Sequence, residues 1–309
     1  MSMKSILVIG GGGFIGAELV KVLASSGRSV TVLDLNELSL SPLPGNIKFI
    51  KGDYNDKKIL DTLIKCDVDV IHLASASTPN TSFDHPLLDL NQNLSPLHDL
   101  LSISAACGSL FVFISSGGAV YGEANYLPID ELHPTRPISS YGITKLTIEN
   151  YIHLYSLTHG LKYICIRPSN AFGVGQKPFS GQGFISTCIG MVMRGESVNI
   201  YGIEGTVRDY IYVTDLAEAI EKIVNSGVIN ETYNVGSGVG LSNIDVVNAA
   251  RPLLNSLGFE VNVKYLPSRL SDVRSNVLDS SKLTEQTGWK QRIQFIDGLN
   301  EVTNWIKNF

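Results

Sequence analysis

The sequence predicts an α/β fold in which helices cover both faces of a parallel sheet. Short apolar runs alternate with segments of helical spacing, and the first apolar run ends in a block of glycines that opens a helix. Alternation of this kind is typical of a doubly wound parallel sheet. A smaller, discontinuous C-terminal lobe for the substrate is expected to complete the molecule.

Strands and helices are expected to follow one another regularly over the first half of the chain. Ile15, Leu19, Val22 and Leu23 follow the period of a helix, so Phe14–Ala24 is predicted to be helical. The other expected elements are the strands Ile6–Ile9, Ser29–Leu33, Ile47–Ile50, Val68–Leu73, Leu110–Ile114 and Tyr163–Ile166, a helix near Leu87–Cys107 and a helix over Tyr141–Leu157.

The regular alternation stops where glycines and prolines become frequent, across Pro168–Gly183. Residues 1–167 are therefore expected to form the sheet domain. The strand-like segment "ETYNVGS" indicates that residues 207–240 return to that domain. The smaller lobe is then expected to consist of residues 168–206 and 241–309.

Charge and composition exclude several classes of function. The 309 residues carry a formal net charge of −5 with no basic block, so neither nucleic acid nor an anionic membrane is an expected partner. The apolar run Ile6–Ile9 is far too short for a signal peptide or a membrane span. Four cysteines without a CxxC pair favour scattered, reduced core thiols and a cytoplasmic location. His72, His85 and His133 have no ligand spacing, so no metal site is expected.

The glycine-rich stretch "ILVIGGGGFIGAEL" predicts a dinucleotide site. Gly10, Gly13 and Gly16 let the backbone approach a pyrophosphate, and the helix that follows presents free N–H groups to it. Asp34 ends the next strand, 18 residues after Gly16, where a carboxylate binds both ribose hydroxyls and repels a 2′-phosphate. The pattern favours a Rossmann-type sheet that binds NAD rather than NADP. The alternative is a tight strand–helix turn that holds no ligand.

Tyr141 and Lys145, in "SSYGITKLTIENY", have the spacing of a catalytic pair. They are four residues apart on a predicted helix and therefore share one face. An adjacent ammonium can lower a phenol pKa from its usual ~10 by roughly 1–3 units. Such a phenolate would act as a general base near neutral pH. An ordinary surface pair has the same spacing, but the order of the two motifs along the chain favours catalysis.

Motifs along nearly the whole chain together resemble the extended short-chain dehydrogenase/reductase family. Within that family the chain is similar to nucleotide-sugar epimerases of the UDP-glucose/UDP-N-acetylglucosamine 4-epimerase type. The matching motifs are "GGGGFIG", "GDYND", "HLAS", "FVFISS", "VYG", "YGITK", "IRPSNAFGVGQ", "GTVRDYIYVTDLAEAI", "YNVGSG" and "VLDSSKL" followed by "TGW". The resemblance implies NAD as cofactor, a nucleoside-diphosphate sugar as substrate, most commonly a UDP-sugar, and a homodimer formed through the helices near Leu87–Cys107 and Tyr141–Leu157.

The resemblance also implies roles for individual residues. The implied cofactor contacts, with His72 beside them, are Gly10, Gly13, Phe14, Ile15, Gly16, Asp34, Asp53, Tyr54, Leu73, Ala74, Ser75, Tyr141, Lys145 and Pro168. Arg208 and Arg269 would clamp the diphosphate, because guanidinium groups bind phosphate oxygens in pairs. An ordinary surface salt bridge is their alternative. The implied sugar and nucleoside contacts are Asn170, Tyr201 and Asp272, and Asn276 is expected to face the substituent on C2 of the sugar.

The hydroxyl partner of Tyr141 departs from the family pattern. The resembling enzymes carry Ser or Thr four residues before the Tyr of "YG", and that position is Gly117 here. Ser116 is the candidate, because glycines after it permit backbone angles closed to other residues. Ser115 or a water is the alternative, and both serines could merely satisfy the end of the strand.

The residues after Ser116 also bear on the type of reaction. Related dehydratases and decarboxylases carry Asp or Glu directly after the catalytic hydroxyl, whereas Gly117, Gly118 and Ala119 stand here. The sequence therefore predicts a 4-epimerase that acts through a transient 4-keto sugar, with Tyr141 as the base. A nucleotide-sugar 4-ketoreductase and a non-catalytic NAD-binding regulator remain the alternatives.

Overall fold

The computed structural model describes residues 4–38, 43–76, 79–268 and 273–308. Its strands are β1 Ser5–Ile9, β2 Val30–Asp34, β3 Ile47–Lys51, β4 Val68–His72, β5 Leu110–Ile114, β6 Lys162–Pro168, β7 Asn170–Phe172, β8 Val198–Tyr201, β9 Val207–Tyr212, β10 Glu231–Val235, β11 Gly240–Ser242, β12 Val263–Leu266 and β13 Ser275–Asn276. Its helices are α1 Phe14–Ser25, α2 Lys57–Leu63, α3 Pro79–Asp84, α4 Pro86–Leu94, α5 Leu97–Ala106, α6 Gly117–Val120, α7 Ser140–His159, α8 Phe184–Met193, α9 Val213–Asn225, α10 Asn243–Ser256, α11 Ser281–Thr287 and α12 Phe295–Lys307.

The predicted doubly wound parallel sheet is confirmed. Seven parallel strands lie in the order β10-β6-β5-β4-β1-β2-β3. β1 pairs with both β2 and β4, so the strand order reverses there and a crevice opens at the carboxyl ends of these strands. β10 pairs with β6 from Glu231 to Val235, so the segment "ETYNV" adds the outer strand next to β6.

The sheet is buried on both faces, which explains why its strands are almost continuously apolar. One face packs against α1 and α9 through residues such as Leu19 and Ile220. The opposite face packs against α5 and α7 through residues such as Leu100 and Ile152. Burying one such aliphatic side chain stabilises the fold by about 1.5–3 kcal/mol, so these two layers fix the strand ends around the crevice.

One predicted helix and one predicted burial differ from the structure. The helix expected near Leu87–Cys107 is divided into α4 and α5, which Ser95 and Pro96 separate. Proline lacks an N–H and its ring clashes with the carbonyl four residues earlier, which interrupts a helix. The expectation of core thiols was wrong for Cys66, which is exposed, whereas Cys165 and Cys188 are buried.

The later segments form a second, smaller core beside the sheet. β9 pairs with β7, β11 and β13, and β8 pairs with β12. Buried side chains of this core include Phe172, Ile200, Tyr210 and Leu254. Within the described part of the chain, no helix is both long enough and apolar enough to cross a bilayer.

Asp209 fixes β9 to the neighbouring segments. Its buried carboxylate accepts hydrogen bonds from the backbone N–H groups of Ser237 at 2.8 Å, Gly238 at 3.1 Å and Leu278 at 3.2 Å. Burial raises the pKa of this carboxyl, and those hydrogen bonds oppose the rise. The adjacent residue on β9, Arg208, is thereby held on a rigid strand.

Candidate active site

A cavity of about 620 Å³ lies at the carboxyl ends of β1, β4, β5 and β6, between the sheet and the smaller core. Its size falls within the range of small-molecule sites. The predicted site residues that line it are Gly10, Gly13, Phe14, Ile15, Gly16, Leu73, Ser75, Ser116, Tyr141, Lys145, Pro168, Asn170, Tyr201 and Arg208. Arg269 and Asp272 lie outside the described residues.

The glycine turn after β1 has the shape that a dinucleotide requires. Gly10 has φ +88°, and a Cβ there would lie 2.5 Å from the backbone nitrogen of Ala74. A Cβ on Gly16 would collide with the carbonyl oxygen of Gly10, so the turn closes only with glycine. Gly13 caps α1 with no side-chain hydrogen bond, which leaves the helix N-terminus for a ligand anion. These residues therefore fit the pyrophosphate of NAD.

Asp34 stands at the end of β2 next to this turn. Its two carboxylate oxygens accept hydrogen bonds from the N–H groups of Gly12 and Asn36, each at 2.8 Å. Each oxygen retains a lone pair, and the negative charge disfavours a 2′-phosphate at this place. Asp34 and three further predicted cofactor residues, Asp53, Tyr54 and Ala74, are not among the residues that line the cavity.

We expect Asp34→Asn to raise the affinity for NADP relative to NAD by about tenfold or more, because the repulsive charge disappears while an acceptor oxygen stays. The measurement is the dissociation constant of each cofactor by titration of the purified variant. Asp53→Asn, the same change at a nearby acid, serves as the control and should leave the ratio unchanged. An unaltered NAD/NADP ratio in Asp34→Asn would disprove the role of the charge.

Tyr141 and Lys145 lie on the first two turns of α7. The Ser139 side chain caps this helix by accepting a hydrogen bond from the N–H of Gly142 at 3.1 Å. The Lys145 ammonium is buried, donates to the carbonyl of Ile114 at 3.1 Å and lies 5.7 Å from the centroid of the Tyr141 ring. The pair thus joins the end of β5 to the wall of the cavity.

The protonation of this pair differs from the sequence-based expectation. Burial raises the pKa of Tyr141 to about 12, and the nearby Asp89 raises it further. Burial also lowers the pKa of Lys145 to about 8, although Asp89 and Glu149 oppose this. The expected lowering of the phenol pKa is therefore wrong for the chain by itself, because burial outweighs the attraction of a lysine that donates to the Ile114 carbonyl.

A buried polar network that the sequence did not reveal supports α7, the helix of Tyr141 and Lys145. The Asp89 carboxylate accepts hydrogen bonds from Thr144 Oγ1 at 2.8 Å and from Asn93 Nδ2 at 2.9 Å. Asn93 Oδ1 in turn accepts the N–H of Ala76 at 3.1 Å. The network joins α4, α7 and the loop after β4. An Asp and an Asn four residues apart in an otherwise amphipathic helix were the only local signal for it.

The turn after β5 brings Ser116, and not position 117, to the cavity. A Cβ on Gly117 would lie 2.6 Å from Leu278 Cδ1 and 3.0 Å from the Arg167 carbonyl oxygen, so this position faces the interior. Ser116 lines the cavity and precedes α6 as its N-cap. A Cβ on Gly118 would lie 4.0 Å from Ser116 Oγ and 3.2 Å from Asn170 Oδ1, so position 118 faces the site.

The far end of the cavity belongs to the smaller core. Arg208 and Tyr201 line it, and the carboxylate of Asp209 is directed to backbone groups on the other side. Sequence analysis missed Asn199, although it precedes Tyr201 by two on a strand and therefore shares its face. Other lining residues that it missed include Ser169, Gln176, Phe184, Thr206 and Asn243, whereas Ser115, the predicted alternative to Ser116, also lines the cavity.

Comparison with known proteins assigns the family. The model of the NAD dependent epimerase/dehydratase family matches residues 6–236. The chain belongs to this family. Membership confirms the predicted resemblance to extended short-chain dehydrogenases/reductases, NAD as the cofactor and an NAD-dependent epimerase as the class of enzyme.

Similarity to individual proteins extends over almost the whole chain. A Methanocaldococcus jannaschii protein assigned provisionally as a UDP-glucose 4-epimerase is 35% identical, covering 98% of each chain. The UDP-glucose 4-epimerase of Lacticaseibacillus casei is 32% identical over 98% of this chain and 97% of its own. Among solved structures, the Thermotoga maritima UDP-glucose 4-epimerase with UDP-glucose has a TM-score of 0.89 at 32% identity, covering 98% of this chain and 99% of its own.

Proposed function

We propose that this protein interconverts UDP-hexoses that differ in configuration at C4. Tyr141, Ser116 and Arg208 line one cavity, and this combination is the observation that carries the proposal. A guanidinium suits a diphosphate, and a phenol beside a lysine suits proton transfer from a hydroxyl. The names of the similar proteins, UDP-glucose 4-epimerases, support the same substrate class.

The residues around the cavity can divide the reaction among them. Tyr141 takes the proton from the sugar 4-hydroxyl, while Lys145 favours the phenolate electrostatically. When bound at Gly10, Gly13 and Asp34, NAD supplies a hydride acceptor for C4 and a positive charge near the phenol. Ser116 donates a hydrogen bond to the sugar oxygen as it gains negative charge, which favours the transition state.

The substrate must turn between the two halves of the reaction. Loss of the C4 hydrogen gives a transient 4-keto sugar, which has to present its other face before C4 is reduced again. Arg208, with Arg269 expected beside it, holds the diphosphate during this rotation. Tyr141 then returns its proton to the 4-oxygen, so the residues end in their starting states.

The same local residues weigh against a dehydratase. A dTDP-glucose 4,6-dehydratase of Streptomyces niveus is 30% identical over 98% of this chain, so overall similarity does not separate the two reactions. Elimination needs an acid and a base next to the catalytic hydroxyl. Position 118 faces Asn170 and Ser116 in the cavity. The residue there is glycine, which has no side chain that could act as this acid or base.

The deciding experiment incubates the purified protein with UDP-glucose and, separately, with UDP-N-acetylglucosamine, and resolves the products by chromatography. Conversion to the C4 epimer without net consumption of NAD or NADH supports the proposal. Consumption of one NADH per sugar would make the protein a 4-ketoreductase, and the absence of turnover with bound NAD would favour a regulator.

We also propose a homodimer, in which α4 and α7 of two copies meet. The side chains of Leu87 on α4 and Leu157 on α7 are 74% and 73% exposed. Exposed apolar side chains on these two helices are typical of a surface that contacts another protein. We expect sedimentation of the wild type to give a dimer at micromolar concentration and Leu157→Glu to give monomers. Leu132→Glu, at an even more exposed leucine in a loop, is the control. A monomeric wild type would overturn the dimer.

The cytoplasmic location stays a prediction.

A further inference from the structure

Asn276 lies behind the turn that carries Ser116. It is 1% exposed on β13, where its Cα partner on β9 is Arg208. Its Nδ2 donates a hydrogen bond to the carbonyl oxygen of Gly117 at 3.0 Å. Asn276 is not among the described residues that line the cavity. Its side chain is therefore directed to the back of the turn and not to the sugar site.

The Gly117 carbonyl needs such a partner because its turn is intrinsically loose. Two glycines follow Ser116, and glycine loses more conformational freedom on folding than any other residue. α6 is only four residues long, and the Ser116 side chain makes no capping bond in it. The amide of Asn276 fixes the carbonyl of Gly117, the residue directly after Ser116. It thereby restrains the turn that sets the direction of the Ser116 hydroxyl.

The segment that presents Asn276 is itself firmly held. The N–H of Arg274 donates to Glu123 Oε1 at 3.0 Å, the N–H of Leu278 donates to Asp209 at 3.2 Å, and the N–H of Ile129 donates to the Val277 carbonyl at 2.7 Å. These bonds anchor β13 on both sides of Asn276. A rigid support of this kind is what a precisely aimed hydroxyl requires.

We propose that Asn276 is a positioning residue that sets Ser116 relative to the phosphate clamp on β9. The proposal rests on the proposed function, since it acts through the hydroxyl partner of Tyr141. Arg208 and Asn276 are paired residues of adjacent strands, and Asn276 contacts the residue next to Ser116. A single side chain therefore connects the strand that holds the diphosphate to the turn that carries the hydroxyl.

The unpaired oxygen of Asn276 argues against a role in stability alone. Among the described residues, Asn276 Oδ1 is buried with no hydrogen-bond partner. A buried acceptor without a partner destabilises the folded state. Leucine has nearly the same shape and would remove that cost together with the amide donor. Asn276→Leu therefore separates the two roles, because it should preserve the fold while releasing the turn.

The test is a double-mutant cycle with Ser116→Ala, measured as kcat, KM and melting temperature. Asn276→Leu should lower kcat about tenfold with little change in KM in the presence of Ser116, and less than about twofold in the Ser116→Ala background. Asn234→Leu removes another fully buried amide, which donates to Ile129, and its effect should be equal in both backgrounds. Equal losses for Asn276→Leu in both backgrounds would overturn the positioning role.

Asn276→Asp gives a second readout that also serves if the leucine variant folds poorly. A carboxylic acid at this place can donate to the Gly117 carbonyl only while it is protonated. The ratio of variant to wild-type kcat should therefore rise as the pH falls, and a ratio that stays constant with pH would contradict the proposal. A wild type that epimerises no UDP-hexose would instead refute the proposed function and leave these ratios unmeasurable.

Discussion

Tyr141→Phe is expected to lower turnover by roughly 10²–10⁴-fold, the usual contribution of one general base. Phenylalanine keeps the ring that forms the cavity wall and removes only the hydroxyl that takes the proton. Binding of NAD and of UDP should therefore persist, because the glycine turn, Asp34 and Arg208 are untouched. Turnover of the UDP-hexose and the dissociation constants of NAD and UDP, measured on the same preparation, test both parts.

A second tyrosine on the same helix provides the control for this variant. Tyr151 is 45% exposed and lies outside the lining of the cavity, so Tyr151→Phe should retain full turnover. A Tyr141→Phe variant with near-normal turnover would remove Tyr141 from the mechanism. Weak NAD binding in that variant would instead indicate that the hydroxyl supports the cofactor site.

The same pair of proteins can report the charge on Tyr141 directly. The difference between the ultraviolet absorption spectra of wild type and Tyr141→Phe reports the ionisation of Tyr141. Without bound NAD it should show tyrosinate only at strongly alkaline pH, because burial raises the pKa of Tyr141 to about 12. Saturation with oxidised NAD should move that transition to lower pH, since a positive charge beside a phenol favours the phenolate. An unchanged transition would mean that the phenol is activated only by the sugar.

The features that the sequence predicted well are those that depend on local periodicity. The strands and α1 follow from apolar spacing, and the glycine turn and the Tyr141–Lys145 spacing follow from neighbours within one or two turns. Each of these needs only residues that are close in the chain. The position of Ser116 after β5 belongs to the same group, since a strand end fixes where the next few residues lie.

The features that the sequence did not reveal depend on partners far apart in the chain. Position 117 faces inward against Leu278, and the Tyr121 hydroxyl donates to Asn234, which is 113 residues away. The raised pKa of Tyr141 results from burial by many surrounding groups and not from its neighbour four residues on. No spacing rule within a single sequence specifies such contacts.

The second large effect is expected at a buried ion pair between α7 and β6. Arg167 on β6 donates from Nε and Nη2 to the carboxylate of Glu149, with the shortest distance at 2.6 Å. Its Nη1 donates to the hydroxyl of Tyr121 at 2.9 Å. Glu149 follows Lys145 by one turn on the same face of α7. Burial lowers the pKa of Lys145, and the negative charge of Glu149 opposes that lowering. The ion pair therefore lies next to the lysine that neighbours Tyr141.

Arg167→Met should lower the free energy of unfolding by about 3–5 kcal/mol, because it leaves the Glu149 carboxylate buried without a counter-charge. The companion variant Arg167→Met/Glu149→Leu removes both charges and should recover most of that loss, since an apolar pair of similar volume needs no desolvation of ions. Urea titration measures the free energy of unfolding of both variants, and an unchanged m-value shows that the variants differ from the wild type in stability alone.

An exposed ion pair gives the scale against which this effect is judged. Lys21 and Glu18 form a bridge at 2.9 Å on the surface of α1, and Lys21→Met should cost less than about 1 kcal/mol because water screens the charges. If Arg167→Met cost no more than Lys21→Met, the buried pair would not be coupled. A double variant as unstable as Arg167→Met would assign the loss to the Tyr121 bond, because that bond is absent from both variants whereas the unpaired carboxylate is present in only one.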